Sequence, residues 1–144
     1  MIKEYLKDPW CNAPKEIEQY LNGSCEIFAI AARRLFKWDI FVITEERLIN
    51  GLGIATGLVH AFTIPSTNPN DIFDAKGIRD SNLLTNEYNL HDDVKISFME
   101  ENELITLVHN PGDQLYKTLT IEQIEVLISN AELFIKEHYS YIQT

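Results

Sequence analysis

Apolar and polar residues alternate along this chain in two patterns, one typical of helices and one typical of strands. The helical pattern is clearest at residues 25–37, and a second long helix is predicted from residue 121 to about residue 139. The buried stripe of the first helix is formed by Ile27, Phe28, Ala31, Ala32 and Leu35. The second helix follows a Thr-Ile-Glu-Gln capping box that begins at Thr120. A shorter helix is predicted at residues 12–21.

Runs rich in β-branched and aromatic residues predict strands between the two long helices. These runs are residues 39–44, 58–65, 71–75, 94–99 and 103–108. The second and third runs are separated by a short polar loop and are expected to pair as an antiparallel hairpin. Residues 50–57 contain three glycines and are expected to form a connection, while residues 79–93 are polar and expected to be irregular. Helices flanking antiparallel strands predict one α+β domain covering residues 1–144.

The charge balance of the chain narrows the classes of partner. The 144 residues include 22 acidic and 12 basic side chains, for a net charge of −10. Binding to a nucleic-acid backbone depends on clustered Lys and Arg, so no nucleic-acid partner is expected. The acidity predicts a well-solvated surface, and a basic partner or substrate is the alternative.

The sequence also bears on location. No apolar run approaches the roughly 18 residues that span a membrane, so no membrane partner is expected. The first residues lack the continuous apolar core of a signal peptide, which predicts a cytoplasmic protein, although export without a cleaved signal stays open.

The cysteine and histidine content does not predict a metal or cofactor. Cys11 and Cys25 are the two cysteines, too few for a cysteine-rich zinc site. His91 stands beside Asp92 and Asp93, but this spacing matches no ligand pattern and favours a solvated loop. No cofactor and no metal are therefore expected.

Three residues have the properties of a nucleophile, a base and an orienting acid. Cys25 follows Gly-Ser at the predicted start of a core helix, where the helix N-terminus is expected to lower the pKa of the thiol. His60 lies on a predicted strand and would take the thiol proton. Asp74 ends the next strand and would hold the imidazole. Because strand residues alternate between faces, Asp74 and Asp71 cannot both face His60, and Asp74 is the residue expected to do so.

This ordered set resembles the papain-like cysteine hydrolases, and most closely their transglutaminase-like branch. The resemblance covers roughly residues 20–80 and rests on three motifs: Gly-Ser-Cys opening a helix, His-Ala-Phe on a strand and Phe-Asp-Ala-Lys-Gly closing the next strand. It implies a helix-then-sheet core and a Cys-His-Asp triad of Cys25, His60 and Asp74. It also implies a protease, amidase, glutamine deamidase or acyl-transferring enzyme acting on a protein or peptide, a class with members used as toxins or effectors.

The resemblance also implies an oxyanion site near Cys25. Backbone N–H groups at the helix start, including that of Cys25, can supply part of it. Papain-like enzymes often place a glutamine shortly before the cysteine, so Gln19, Asn22 and Ser24 are the candidates here for oxyanion binding or substrate positioning.

Two alternatives remain open from the sequence. The chain could be a catalytically inactive papain-like binding domain, or an acidic inhibitor or immunity-type interaction protein in which Cys25 is simply buried. His109 is the second candidate for the base.

Overall fold

The computed structural model describes residues 25–49, 53–88, 94–109 and 119–142. Its elements in chain order are α1 (Cys25–Phe36), β1 (Asp39–Ile49), β2 (Gly53–Ile64), β3 (Asp71–Asp74), β4 (Gly77–Asp80), α2 (Leu83–Tyr88), β5 (Val94–Met99), α3 (Glu101–His109) and α4 (Ile121–His138). The predicted α+β class is confirmed. The helix expected at residues 12–21 lies outside the described residues.

The strands form one five-stranded antiparallel sheet in the order β4-β3-β2-β1-β5. Helices α1, α3 and α4 contribute to a core on one face of this sheet, which includes Ala61 of β2 and Phe73 of β3. The opposite face has its own smaller cluster, formed by Ile43, Phe62, Ile72 and Leu84. The central strands β1, β2 and β3 therefore have buried residues on both faces, and the strand alternation decides which face receives each side chain.

Helix α1 is the central helix of the larger core. Seven of its twelve residues are buried, and Ala29, Ala31 and Ala32 are fully inaccessible to solvent. Phe28 packs against Phe73 of β3 with ring centroids 5.3 Å apart. The small alanines allow close packing of α1 in this core, and Phe28 contacts β3, so the packing fixes the position of the first residue of α1, Cys25.

A β-bulge interrupts the pairing of β1 with β2 next to His60. Ile43 pairs with His60 and Thr44 pairs with Leu58, so Val59 is the extra residue of β2. Bulges increase the local twist of a strand and often re-aim a side chain near a functional site. This one lies immediately before His60 and breaks the regular alternation at that point.

The long helix predicted from residue 121 to about residue 139 is confirmed as α4. It runs from Ile121 to His138, and Thr120 forms both halves of the capping box with Gln123. The strand at residues 94–99 is also confirmed, as is the antiparallel pairing of the strands that contain His60 and Asp74. Local caps and unambiguous periodicity are sufficient to predict these elements.

Three other predictions were wrong. Residues 103–108 form part of helix α3 instead of a strand, because Leu104 is fully buried against the larger core from a helical position. Residues 53–57, expected to belong to a connection, form part of β2 and extend its pairing with β1, while residues 50–52 lie outside the described residues. Residues 79–88, expected to be irregular, include the end of β4 and helix α2.

Candidate active site

The turn between β3 and β4 fixes the position of Asp74. Asp74 pairs with Gly77 across a two-residue turn, and Asp74 Oδ1 accepts a hydrogen bond of 2.9 Å from the backbone N–H of Lys76. An aspartate that binds the backbone two residues ahead is a common device for closing a turn. Gly77 has φ of 97°, a conformation that L residues with side chains rarely adopt. The Asp-Ala-Lys-Gly sequence therefore encodes both the turn and the placement of the carboxylate.

His60 and Asp74 form a buried pair on one face of the sheet. His60 Nε2 lies 2.9 Å from Asp74 Oδ2, and the two residues are 4% and 2% exposed. They share this face with Phe62, whose ring lies 6.0 Å from the imidazole and nearly parallel to it. An ionised carboxylate only accepts hydrogen bonds, so Nε2 carries the proton and Nδ1 is the basic nitrogen of the neutral ring.

A second cation, which the sequence analysis did not identify, also binds Asp74. Arg79 Nη2 donates to Asp74 Oδ2 at 2.6 Å, and Arg79 Nε donates to Asp74 Oδ1 at 3.3 Å. Arg79 lies opposite Ile72 in the β3–β4 hairpin, which places it on the same face as Asp74. The carboxylate therefore has a two-pronged contact with a guanidinium in addition to its contact with His60.

The network continues from Arg79 to helix α2. Arg79 Nη1 donates to Glu87 Oε2 at 2.7 Å, and Lys76 Nζ lies 3.1 Å from the same oxygen. The side chains of Arg79 and Lys76 are 9% and 3% exposed, so these pairs are largely removed from water. Asp74, Lys76, Arg79 and Glu87 together carry equal numbers of positive and negative charges, which reduces the cost of burying them.

The surroundings of Asp74 keep it ionised. Burial alone raises the pKa of a carboxyl group, but the hydrogen bond and charge of His60 and the charge of Arg79 outweigh it and lower the pKa of Asp74 to about 2. Asp74 is therefore an anion throughout the pH range in which a histidine base operates.

Cys25 lies against β2 at the residue that follows His60. It is the first residue of α1, it is buried, and it is a free thiol. The backbone of Ala61, the residue after His60, forms a hydrogen bond with the thiol. Because Ala61 is small and faces α1, the start of the helix can come close to the strand backbone beside the histidine.

The charged groups around Cys25 and around His60 are close enough to act on one another. The negative charge of Asp74 contributes to raising the pKa of Cys25. Burial raises the pKa of Glu26, while its hydrogen bond with Cys25 and the charge of His60 act to lower it. Cys25, Glu26, His60 and Asp74 thus belong to one electrostatic neighbourhood.

The expected lowering of the Cys25 pKa was wrong. Burial raises the pKa of Cys25 well above its usual value, and the neighbouring Glu26 raises it further by charge and by a hydrogen bond. Cys25 Sγ donates to Glu26 Oε1 at 3.4 Å. Desolvation penalises a thiolate more than the start of the helix favours it, so this structure holds Cys25 as a neutral thiol.

Replacing Glu26 with glutamine is expected to make Cys25 more reactive. Glu26→Gln removes the negative charge beside the sulfur while preserving side-chain size, so the pKa of Cys25 should fall and iodoacetamide should alkylate it several-fold faster near neutral pH. The measurement is the alkylation rate against pH, followed by mass spectrometry in a Cys11→Ser background. Glu101→Gln, at a surface pair with Arg34, is the control. An unchanged or slower rate in Glu26→Gln would contradict the assigned effect.

The other candidate residues are placed as follows. Gln19, Asn22 and Ser24, the candidates for oxyanion binding, lie outside the described residues, as does the His91 cluster. His109 ends helix α3, where its Nδ1 donates to the carbonyl oxygen of Leu119. His60 and His109 each have one ring nitrogen engaged by a hydrogen bond, and His60 is the one whose partner is a buried carboxylate, that of Asp74.

Within the described ranges, no group of three or more His, Cys, Asp or Glu side chains could hold a metal ion. In the same part of the chain, no helix combines the length and apolar character needed to cross a membrane.

No family model, curated protein or solved structure matches this chain. The functional assignment consequently depends on the residues and their geometry.

Three residues of this site were missed by sequence reasoning, and two of them left a signal. Glu26 directly follows the cysteine, where a carboxylate can reach the sulfur of its neighbour. Arg79 follows a turn sequence, and continuing the strand alternation beyond Gly77 would have placed it on the Asp74 face. Glu87 belongs to a six-residue helix, and no sequence motif connected it with Asp74 or Arg79.

Proposed function

We propose that this chain is a thiol hydrolase or acyltransferase that acts on an amide bond of a protein or peptide. Cys25 is the nucleophile, His60 the base and Asp74 the residue that orients His60, within a papain-like, transglutaminase-like core. The observation that carries the proposal is the buried His60–Asp74 pair, next to the strand position where the Cys25 thiol reaches the Ala61 backbone. The order of the three residues, their elements and the antiparallel hairpin agree with the resemblance.

The proposed reaction begins with the transfer of the thiol proton of Cys25 to His60. Cys25 leaves the Glu26 carboxylate and passes its proton to Nδ1 of His60, and the resulting thiolate attacks the amide carbonyl carbon. The tetrahedral oxyanion is held by backbone N–H groups at the start of α1. The imidazolium protonates the departing nitrogen, which leaves as an amine or as ammonia, and a thioester remains on Cys25.

The second half of the reaction determines the product. Water that attacks the thioester gives a carboxylic acid, which is peptide cleavage when the amide is a peptide bond and deamidation when it is a glutamine side chain. A lysine amine that attacks instead gives a new amide, as in transglutamination. In each case His60 takes a proton from the incoming nucleophile and returns it to the sulfur.

The burial of Cys25 favours one second candidate, a catalytically inactive papain-like domain that binds a partner. A neutral thiol hydrogen-bonded to Glu26 is the state expected of an inert buried cysteine. The two candidates differ in whether His60 can withdraw the proton from Cys25.

Thiol labelling in a His60→Ala variant tests the proposal. If His60 is the base, alkylation of Cys25 by iodoacetamide near neutral pH should fall by about 10²-fold, the usual size of a general-base contribution. The rate is measured by mass spectrometry in a Cys11→Ser background. His109→Ala is the matched control, because it removes another histidine whose ring is engaged by a backbone carbonyl. Equal and ordinary thiol reactivity in the parent and in His60→Ala would overturn the enzymatic proposal.

A further inference from the structure

We propose that Arg79 is a positioning residue of this site: its guanidinium fixes the plane of the Asp74 carboxylate toward His60 and supplies the counter-charge of that carboxylate. The functional set is then Cys25, His60, Asp74 and Arg79. This inference rests on the proposed function for its catalytic meaning, but its structural content can be tested separately.

The geometry of Asp74 supports this role. Its Oδ2 accepts from both His60 Nε2 and Arg79 Nη2, and its Oδ1 accepts from Arg79 Nε and from the Lys76 backbone. A carboxylate with four such contacts cannot rotate without breaking several at once. The two contacts from one rigid guanidinium set the orientation of the carboxylate plane more strictly than a single ammonium group could.

The charge arrangement gives Arg79 a second effect. In a catalytic triad without another cation, the aspartate charge acts fully on the imidazole and favours its protonated form. Here Arg79 lies closer to Asp74 Oδ2 than His60 does, at 2.6 Å against 2.9 Å. Arg79 therefore shares the carboxylate with His60 and compensates part of its charge.

Glu87 holds Arg79 in this position from the other side. Arg79 Nη1 donates to Glu87 Oε2, so the guanidinium bridges the carboxylates of β3 and α2. Further charged or titratable groups around the pair, among the residues that the structure describes, include Glu26 and Cys25 of α1, Lys76 of the turn, and Tyr139 after α4. Lys76 is a cation of this group, and its ammonium group contacts Glu87.

Two substitutions separate the charge of Arg79 from its geometry. Arg79→Met removes both, and Arg79→Lys keeps the charge but loses the two-pronged contact of the guanidinium with Asp74. Arg34→Met is the matched control, because the guanidinium of Arg34 in α1 forms a similar two-pronged contact with the carboxylate of Glu125 in α4, on the protein surface. Amide chemical shifts verify that each variant retains the fold.

The first readout is the titration of the Asp74 carboxyl carbon by NMR, which does not depend on catalysis. In Arg79→Met the midpoint should move upward by about one pH unit, because a cation in direct contact with the carboxylate is lost. Arg79→Lys and Arg34→Met should stay close to the parent protein. An unchanged midpoint in a folded Arg79→Met variant would overturn the inference.

The second readout is the pH profile of Cys25 alkylation. Its acid limb should move to higher pH in Arg79→Met, because the uncompensated Asp74 charge keeps the imidazole protonated. Arg79→Lys should keep the limb in place and lower the rate several-fold at every pH, because the carboxylate is less firmly oriented. A profile identical to that of the parent in both variants would also count against Arg79. If the parent thiol itself has ordinary reactivity, the proposed function fails, while the carboxyl titration still decides the role of Arg79.

Discussion

Replacing Asp74 with alanine is expected to destabilise the protein by about 3 to 5 kcal/mol at neutral pH, the usual cost of removing one member of a buried ionic pair. Asp74 is the acceptor for His60, Arg79 and the Lys76 backbone. Its removal leaves a buried guanidinium with Glu87 alone and a backbone N–H of the turn without its acceptor. The decrease in the free energy of unfolding should therefore be several times larger than that caused by removing an ordinary surface ion pair.

Equilibrium unfolding in urea measures this effect, with the fluorescence of the buried Trp38 as one probe of the native core. Asp71→Ala is the matched control, because Asp71 is the neighbouring aspartate of the same strand and accepts a hydrogen bond from the exposed Asn68. Asp71→Ala should lower the free energy of unfolding by no more than about 1 kcal/mol. An Asp74→Ala variant as stable as Asp71→Ala would show that the network contributes little to the fold.

The pH dependence of the Asp74 effect has a definite sign. The pKa of Asp74 is lowered in the folded state to about 2, from an ordinary value of 3.8. The corresponding stabilisation, about 2 kcal/mol, is fully present above pH 4 and is lost as the pH falls from about 4 toward 2. The stability difference between the parent and Asp74→Asn should therefore shrink across that interval. A difference that stays constant from pH 5 to pH 2 would contradict the lowered pKa.

The elements that could be predicted from sequence are those with strong local signals. Helix α4 has a capping box at Thr120, and α1 has a continuous stripe beginning at Ile27, so neither depends on distant contacts for its identification. The segment from residue 103 to residue 108 has neighbouring apolar residues that fit a strand as well as a helix. Packing of Leu104 into the main core decided the outcome, and packing is not visible in the sequence.

The candidate site was predictable to a similar degree and for similar reasons. His60 and Asp74 could be paired because strand alternation and a recognisable turn place them on one face. Arg79 was missed because its contact with Asp74 depends on a second hairpin formed by a segment with weak strand propensity. The raised pKa of Cys25 was missed because burial and the rotamer of Glu26 are properties of the folded chain.

The largest effect on function is expected at Cys25. If Cys25 is the nucleophile, Cys25→Ala should lower turnover by at least about 10³-fold, since removing a nucleophile leaves only binding and oxyanion stabilisation. Three products distinguish the proposed reactions on glutamine- and lysine-containing peptides: ammonia indicates attack on a glutamine amide, new amino termini indicate peptide cleavage, and cross-linked peptides indicate transfer to lysine. Acid-quenched mixtures analysed by mass spectrometry should contain a thioester on Cys25 in the parent protein and none in Cys25→Ala.

The same variant separates the enzyme from the interaction protein, because the alanine should leave the fold nearly intact. Cys25 is buried beside the backbone of Ala61. Replacing a buried cysteine by alanine should lower the free energy of unfolding by only about 1 kcal/mol. A loss of turnover or biological effect in a folded Cys25→Ala protein therefore reflects chemistry at the sulfur. Cys11→Ser, which removes the other thiol, should retain the activity. Full biological effect in Cys25→Ala or Cys25→Ser would instead identify a domain that acts by binding, with Asp74, Arg79 and their partners serving the fold alone.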